Sequence, residues 1–262
     1  MGYTVVQTDI SKRCLKDLAG SLPRPHCLIG GWSVYLIVND AFEKDTGREY
    51  QGSRDIDLGF HFDPQWDKKR FEDSPFKRTV DEIKKMGFHG MYHRFYKEFH
   101  ATDGHALTAE EITRLPLYDR FTMFIDLFFD SKDPKKDKMA GFSVADELLL
   151  TRVFDKNESM TIELEGLKVT VPDPQIQMEM KVRSFPGRPE EDKKRKDLTD
   201  LCALLLYFPS KAPIIQDEGD GATVKSSYKE GLARMTDTEW KAIADDLVVS
   251  AAVAKRVANQ IS

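Results

Sequence analysis

The sequence predicts a protein of mixed α/β (α+β) class. A mixed sheet flanked by helices comes first, and a C-terminal helical domain follows it. Two observations carry this prediction. Before Pro172, apolar runs typical of strands alternate with segments of helical periodicity. After that residue, the patterned segments have helical spacing. The change in pattern predicts two domains, residues 1–172 and residues 173–262.

The elements up to residue 62 are punctuated by proline and glycine. Pro23 and Pro25 end the first helical pattern, and the Gly30-Gly31 pair separates a short apolar strand from the next helix. Acidic and apolar residues then alternate, as they do in a half-buried strand. The predicted elements are a helix over 10–21, a strand over 26–29, a helix over 32–42 and a strand over 55–62.

The later elements follow from capping and turn residues. Thr108 begins a capping box, Asp173-Pro174 is typical of a helix start, and Glu165-Gly166 suits the turn of a hairpin. The predicted elements are a helix over 76–86, one or two strands over 88–99, a short helix after 108, a strand over 121–129, a hairpin of 161–164 with 167–171, helices over 173–184 and 189–207, a polar loop over 209–227 and a helical tail over 236–261.

The composition is that of a folded chain. Of its 262 residues, 40% are hydrophobic and 10% are aromatic, which is enough to bury a sizeable core. The net charge of −5 gives no overall basic footprint for nucleic acid, although runs at 132–138 and 193–196 could form local basic patches. No apolar run is long enough to span a bilayer, and the start does not resemble a signal peptide. We expect a cytoplasmic protein with no membrane partner.

Cysteine and histidine spacing predicts neither a disulfide framework nor a zinc site. The three cysteines are far apart in the sequence and form no Cys-x-x-Cys pair. His89 and His93 have a spacing that suits a metal pair on a helix, but their segment, which also holds His100, has the pattern of a strand.

A different set of residues predicts a metal–triphosphate site. Asp55 and Asp57 are separated by one residue, so in a strand both side chains lie on the same face. Paired carboxylates of this kind hold Mg²⁺ or Mn²⁺. The Gly30-Gly31 turn before a helix offers backbone N–H groups to a phosphate. We expect the glycine turn and the two acids to act together.

A third carboxylate completes the predicted site. Asp126 is the only charged residue within the apolar run over 121–129, and an unpaired carboxylate there would cost several kcal/mol, roughly. A metal would explain its presence, as would a cationic partner such as Arg120 or Lys84. Asp130 is the weaker candidate for the third acid.

These motifs, over residues 26–60 together with Asp126, resemble the nucleotidyltransferase superfamily, which includes DNA polymerase beta and the minimal nucleotidyltransferases. The resemblance implies a nucleotidyltransferase fold in which the three carboxylates bind two Mg²⁺ ions. It also implies that the turn at Gly30, Gly31 and Ser33 holds the phosphates of a nucleoside triphosphate. Trp32 stands where that family has a small hydroxyl residue, so Ser53 is expected to share the phosphate contact.

Two helical motifs narrow the resemblance. The segments 180–183 and 195–201 resemble the tail of the AbiEii-type nucleotidyltransferases, which are toxin components of toxin–antitoxin systems. The resemblance implies that Lys181 contacts the triphosphate and that Asp197 orients it or assists deprotonation. It further implies an antitoxin partner.

The expected activity is transfer of a nucleoside monophosphate from a nucleoside triphosphate to an acceptor, with release of pyrophosphate. The acceptor could be RNA (a tRNA 3′ end, for example), a protein side chain or a small molecule. Two alternatives remain open at this point. The chain could be an inactive nucleotide- or partner-binding protein that keeps the fold, or a metal-dependent phosphohydrolase.

Overall fold

The computed structural model describes residues 4–213, 215 and 220–261. Its strands are β1 Cys27–Ile29, β2 Ile56–Phe60, β3 His89–Met91, β4 Arg94–His100, β5 Arg120–Phe129, β6 Ala145–Asp146, β7 Ser159–Leu164 and β8 Leu167–Pro172. Its α-helices are α1 Val5–Ser21, α2 Gly30–Thr46, α3 Lys68–Glu72, α4 Pro75–Lys85, α5 Ala109–Arg114, α6 Lys135–Ala140, α7 Leu150–Asp155, α8 Pro174–Ser184, α9 Glu191–Tyr207, α10 Gly221–Ala233, α11 Asp237–Leu247 and α12 Ala251–Ala258. None of the helices in the described residues has the length and apolar character needed to cross a membrane.

The larger sheet is mixed, which confirms the predicted fold class. Its strands lie in the order β1-β2-β5-β4-β3, and β6 pairs with the end of β5. The β2–β5 and β5–β6 pairs are parallel, whereas β1–β2, β4–β5 and β3–β4 are antiparallel. Strands β7 and β8 form the predicted hairpin as a second sheet. The elements after Asp173 are helical, as expected.

The described residues group into two compact units that differ from the predicted domains in one segment. One unit contains Tyr3–Trp32 and Gly52–Pro172, and we call it the sheet unit. The other, the helical unit, contains Ser33–Gln51 with the described part of Asp173–Ser262. One boundary between the units follows Pro172, and most of α2 groups with the C-terminal helices.

Side-chain contacts explain why most of α2 groups with those helices. The hydroxyl of Tyr50 donates a hydrogen bond of 2.8 Å to Asp200 Oδ1 in α9. The ring of Phe42 packs edge-on against that of Tyr207, with centroids 6.2 Å apart. Such contacts join residues far apart in sequence, so periodicity alone could not have predicted them.

The short elements α3, α6, α7 and β6 were not predicted, and other differences lie at helix boundaries. A capping box at Thr4 starts α1 five residues earlier than the predicted start, and α2 begins at Gly30 itself. Residues 221–227, predicted as polar loop, are helical in α10, whereas 214 and 216–219 lie outside the described residues. The predicted single tail helix is divided because Val248 adopts a left-handed conformation and Ser250 caps a new helix.

Trp32 fills the core of the sheet unit. Its side chain is 1% exposed, and its indole N–H donates a hydrogen bond of 2.8 Å to Ser11 Oγ in α1. The six-membered ring lies against Gly52, where an added Cβ would be 2.5 Å from Trp32 Cη2. The bulky residue in the glycine motif therefore joins α1 to the segment that leads into β2, and Gly52 leaves the space that it needs.

Replacement of Gly52 tests this packing. Gly52→Ala would place a methyl group 2.5 Å from Trp32 and 2.8 Å from Thr8, so we expect overpacking to lower the free energy of unfolding by about 1–3 kcal/mol. Urea denaturation followed by circular dichroism measures the change. The matched control is Gly20→Ala in α1, where no heavy atom lies within 4 Å of the added carbon and stability should rise by up to about 1 kcal/mol. Equal effects of the two substitutions would contradict this account of Trp32.

Candidate functional site

The strand register places Asp57 beside Asp126. In the parallel β2–β5 pair, Asp57 is the partner of Asp126, and on the other side of β2 it is the partner of Ile29. Neighbouring strands lie roughly 4.8 Å apart, and paired residues point to the same face of the sheet. Two carboxylates therefore lie side by side on one face of the sheet, level with the last residue of β1.

Asp55 is the third carboxylate near Arg94. It lies in the bend just before β2, two residues before Asp57, and its charge, like that of Asp57, acts on Arg94. Both residues are half-buried. Asp126 is more enclosed, with 7% of the residue exposed. We call Asp55, Asp57 and Asp126 the carboxylate row. The structure thus brings the charges of the three acids that the sequence predicted as metal ligands to bear on one guanidinium, and their role as ligands remains a prediction.

Gly30 allows the start of α2 to approach the carboxylate row. Its φ angle is +69°, and a Cβ added to it would lie 1.9 Å from Asp57 Oδ2. A side chain could not be accommodated there, because the Asp57 carboxylate occupies its place. A carboxylate next to the first turn of a helix is stabilised by the helix dipole, and the same turn offers amide N–H groups to an anionic ligand.

Arg94 is the cationic partner of Asp126. Its Nε–H donates to Asp126 Oδ1 at 2.9 Å and its Nη2–H donates to Oδ2 at 2.6 Å, in a bidentate pair. The guanidinium also stacks 4.3 Å above the ring centroid of Phe124. Burial by itself lowers the pKa of Arg94, but the hydrogen bond and charge of Asp126, together with the charges of Asp55 and Asp57, outweigh it and raise that pKa.

Sequence reasoning missed Arg94. The alternatives that it offered as cationic partners, Arg120 and Lys84, are not the residues that pair with Asp126. Arg94 does so because the antiparallel β4–β5 register places it directly opposite. Arg120 lies at the other end of β5, where it pairs with Glu98 at 3.5 Å. No local pattern indicates a register, so no signal in the sequence points to this residue.

Asp130 has other partners. Its Oδ1 accepts the backbone N–H of Phe62 at 2.8 Å, and its Oδ2 lies 2.6 Å from His61 Nδ1. The hydrogen bond with Asp130 is the main cause that raises the pKa of His61. Asp130 follows Asp126 by four residues, which is roughly 13 Å along an extended strand. Asp130 therefore lies too far along the sheet to stand beside Asp57 as Asp126 does.

Lys181 and Asp197, also predicted as site residues, lie together in the helical unit. The Lys181 ammonium is 2.6 Å from Asp197 Oδ1 and 2.8 Å from Asp200 Oδ2, and only 7% of its side chain is exposed. Lys196, one turn before Asp200 in α9, donates a hydrogen bond to the Asp200 carboxylate. The basic run over 193–196 thus includes one buried lysine and is not wholly a surface patch.

Asp197 is held by more than one cation. Its Oδ2 accepts hydrogen bonds from Arg188 Nε at 2.6 Å and from the Ser184 hydroxyl at 3.0 Å. Burial alone raises the pKa of Asp197, but the charges of Lys181 and Arg188 outweigh it and lower that pKa. For Lys181, burial lowers the pKa and the charges of Asp197 and Asp200 more than offset this. The pair is therefore ionised, and it stabilises the α8–α9 packing.

The predicted phosphate-binding residues differ in their surroundings. Gly31 lies in the first turn of α2 next to Gly30. Ser33 is fully buried, and its hydroxyl has no hydrogen-bond partner among the described residues. Ser53 is buried as well, two residues before Asp55. The roles of these residues, and those of Lys181 and Asp197, remain predictions.

Comparison with known proteins adds limited information. No protein-family model matches the chain, and no curated protein matches it significantly. Among solved structures, the chain is similar to an antigenic nucleotidyltransferase-like protein from Paracoccidioides brasiliensis. The superposition covers 95% of each chain, with a TM-score of 0.46 and 14% sequence identity. Similarity at this level does not by itself establish a shared fold, so a functional proposal has to rest on the side chains.

The buried pair of the helical unit predicts an acid-dependent stability. Because the pKa of Asp197 is lowered in the folded protein, its contribution is present above the ordinary carboxyl pKa and is lost as the pH falls below about 4. Asp197→Asn leaves Lys181 and Arg188 short of a buried partner, so we expect a loss of about 3 kcal/mol in urea unfolding at pH 7. The difference from wild type should shrink toward pH 3.

The control is Asp245→Asn, at an exposed position of α11. It changes the charge in the same way, and we expect an effect within about 0.5 kcal/mol. If Asp197→Asn were no more destabilising than Asp245→Asn, the buried pair would not stabilise the helical unit.

Proposed function

We propose that this chain is a Mg²⁺-dependent nucleotidyltransferase, which transfers a nucleoside monophosphate from a nucleoside triphosphate to an acceptor and releases pyrophosphate. The observation that carries the proposal is the strand register that sets Asp57 beside Asp126, with Asp55 two residues before Asp57 and Gly30 against Asp57. This arrangement puts hard anionic ligands next to a helix start that suits a phosphate.

The carboxylate row fits a divalent cation by its chemistry. All three side chains offer oxygen, the donor that Mg²⁺ and Mn²⁺ prefer. Arg94 contributes one positive charge beside three carboxylates whose charges all act on it. Carboxylates brought close together favour binding of a cation among them.

Each residue of the site has a separate task in the proposed reaction. When bound, Mg²⁺ supplies charge neutralisation at the triphosphate and lowers the pKa of the attacking hydroxyl. Asp55 and Asp57 would hold the ion, and Asp126 would complete its ligand set. The lack of side chains at Gly30 and Gly31 would let a phosphate oxygen approach the first turn of α2 closely. For Lys181, the triphosphate contact that the resemblance implies remains a prediction, and its ammonium is paired with Asp197 and Asp200.

Arg94 acts as a positioning residue in this scheme. Its two hydrogen bonds fix the orientation of Asp126, and they also engage both of the oxygens that would serve as ligands. We therefore propose that Arg94 and the cation compete for Asp126, so that metal binding shifts one of the two hydrogen bonds.

Removal of Arg94 tests the competition. Arg94→Met keeps an apolar stem over Phe124 but deletes the competing charge, so Mn²⁺ affinity in isothermal titration calorimetry should rise by at least about tenfold. The control is Arg114→Met, at an exposed residue that pairs with Glu110. Unchanged or weaker Mn²⁺ binding in Arg94→Met would show that the two cations do not compete.

Replacement of Asp57 tests the activity itself. Asp57→Asn keeps the shape of the side chain and removes its charge, so we expect pyrophosphate release to fall by about a hundredfold or more. The assay incubates the chain with each α-labelled nucleoside triphosphate, Mg²⁺ and total RNA, and a gel locates the label. The control is Asp155→Asn, an exposed acid at the end of α7, which should keep wild-type turnover.

The position of the label identifies the acceptor. Label on RNA, such as tRNA, indicates a nucleic-acid acceptor, and label on the chain or on an added protein indicates protein modification. If wild-type protein binds a nucleoside triphosphate in calorimetry but yields no pyrophosphate, the alternative of an inactive binding protein replaces the proposal. Release of phosphate instead of pyrophosphate would identify a phosphohydrolase. An antitoxin partner, implied by the AbiEii resemblance, remains a prediction.

A further inference from the structure

A histidine-rich turn closes the far end of the β4–β5 pair. Strand β4 ends at His100, and the chain then reverses, so that the N–H of Gly104 donates to the carbonyl of His100 at 3.0 Å. The N–H of His100 donates in turn to the carbonyl of His105 at 2.9 Å. The Arg13 side chain from α1 donates to the carbonyl of Gly104 at 2.9 Å. The backbone of this turn is therefore held in place from both sides.

Three potential metal ligands converge on the turn. One ligand atom each of His100, Asp103 and His105 lies within 4.8 Å of the others. Asp103 Oδ1 is 2.7 Å from His105 Nδ1 and 3.4 Å from His100 Nδ1. Two ligand atoms on a tetrahedral Zn²⁺ are about 3.3 Å apart. The distance between His100 Nδ1 and Asp103 Oδ1 already suits zinc, and the distance between His105 Nδ1 and Asp103 Oδ1 would have to increase by roughly half an ångström.

A second carboxylate orients His105 from behind. The Nε2 atom of His105 is 3.1 Å from Glu111 Oε1, on the opposite side of the ring from Asp103. Glu111 is fixed by the Thr108 capping box, in which Glu111 Oε2 accepts the backbone N–H and the hydroxyl of Thr108 at 2.8 Å each. Histidines that bind metals commonly donate their other ring N–H to such a carboxylate, which leaves the first nitrogen free for the ion.

The Nδ1 atom of His100 supplies an independent observation. It is buried, yet it makes no hydrogen bond to any described residue, although it faces Asp103. The imidazole rings of His100 and His105 are stacked with centroids 5.2 Å apart and nearly parallel planes. If His105 were protonated, its contacts with Asp103 and Glu111 would be explained, but His100 Nδ1 would still lack a hydrogen bond. An ion bound by the three ligands would explain the arrangement of both histidines.

We propose that His100, Asp103 and His105 bind a zinc ion, with Glu111 as the carboxylate that orients His105. Two imidazoles and one carboxylate favour Zn²⁺ over Mg²⁺, because Mg²⁺ prefers an all-oxygen set. The zinc site is separate from the carboxylate row. His100 lies six positions along β4 from Arg94, the partner of Asp126, which is roughly 20 Å in an extended strand. Zinc would tie the end of β4 to the start of the following segment.

Spectroscopic titration of the untagged full chain tests the proposal. Co²⁺, a visible probe for zinc sites, is added in the presence of excess Mg²⁺, and its ligand-field absorption is followed. We expect one Co²⁺ per chain in the wild type, displaced by Zn²⁺. His100→Ala and His105→Ala should weaken Co²⁺ binding by at least about tenfold. The control is His93→Ala, an exposed histidine before β4, which should bind as the wild type does.

Two further variants keep the outcome unambiguous. Asp103→Asn changes an exposed side chain with little change in shape, so a loss of Co²⁺ binding with an unchanged circular dichroism spectrum separates ligation from misfolding. Asp57→Asn should leave Co²⁺ binding intact, which distinguishes this site from the proposed catalytic metal. Absence of Co²⁺ binding in the wild type, or equal binding in His105→Ala and His93→Ala, would overturn the proposal.

Discussion

The parallel pairing of β2 with β5 is the constraint on which the rest of the carboxylate site depends. It sets Asp57 and Asp126 side by side, at a strand spacing of roughly 4.8 Å, where two carboxylates repel each other. The surrounding residues offset that repulsion. Arg94 engages both oxygens of Asp126, and the start of α2 lies against Asp57. Gly30 is therefore a consequence of the register, because any side chain at that position would displace the Asp57 carboxylate.

The ionic cluster of the helical unit differs from the carboxylate row in its surroundings. In the cluster, Lys181 and Lys196 face Asp197 and Asp200, and Arg188 adds a further cation. These opposite charges offset one another and stabilise the packing of α8 against α9. In the carboxylate row, the charges of three acids act on Arg94, and Gly30 brings the start of α2 against Asp57. Oxygen donors next to a helix start are the reason that a divalent cation is proposed in one place and a structural role in the other.

What could be predicted from the sequence was mostly local. The β1–glycine–α2 unit, the strand with Asp55 and Asp57, and the apolar strand with Asp126 all follow from periodicity and from glycine and proline positions. Arg94 could not be predicted, because its role depends on the β4–β5 register. The grouping of residues 33–51 with the helical unit depends on long-range contacts such as Tyr50–Asp200. Trp32, which stands where the resembled family has a small hydroxyl residue, is hydrogen-bonded to Ser11 of α1 and packs against Gly52, and neither contact is local in sequence.

On the two proposals above, donor chemistry would let one sheet hold two kinds of cation without exchange between them. At one end of the β4–β5 pair the ligands are oxygens only, which suit Mg²⁺, and at the other end imidazoles predominate, which suit Zn²⁺. Transition-metal ions bind most ligand sets more tightly than Mg²⁺ does, so an all-oxygen site alone would not exclude them. A separate imidazole site with higher affinity would take up zinc first. Arg94 adds a second barrier, because any ion at Asp126 must compete with a bidentate guanidinium.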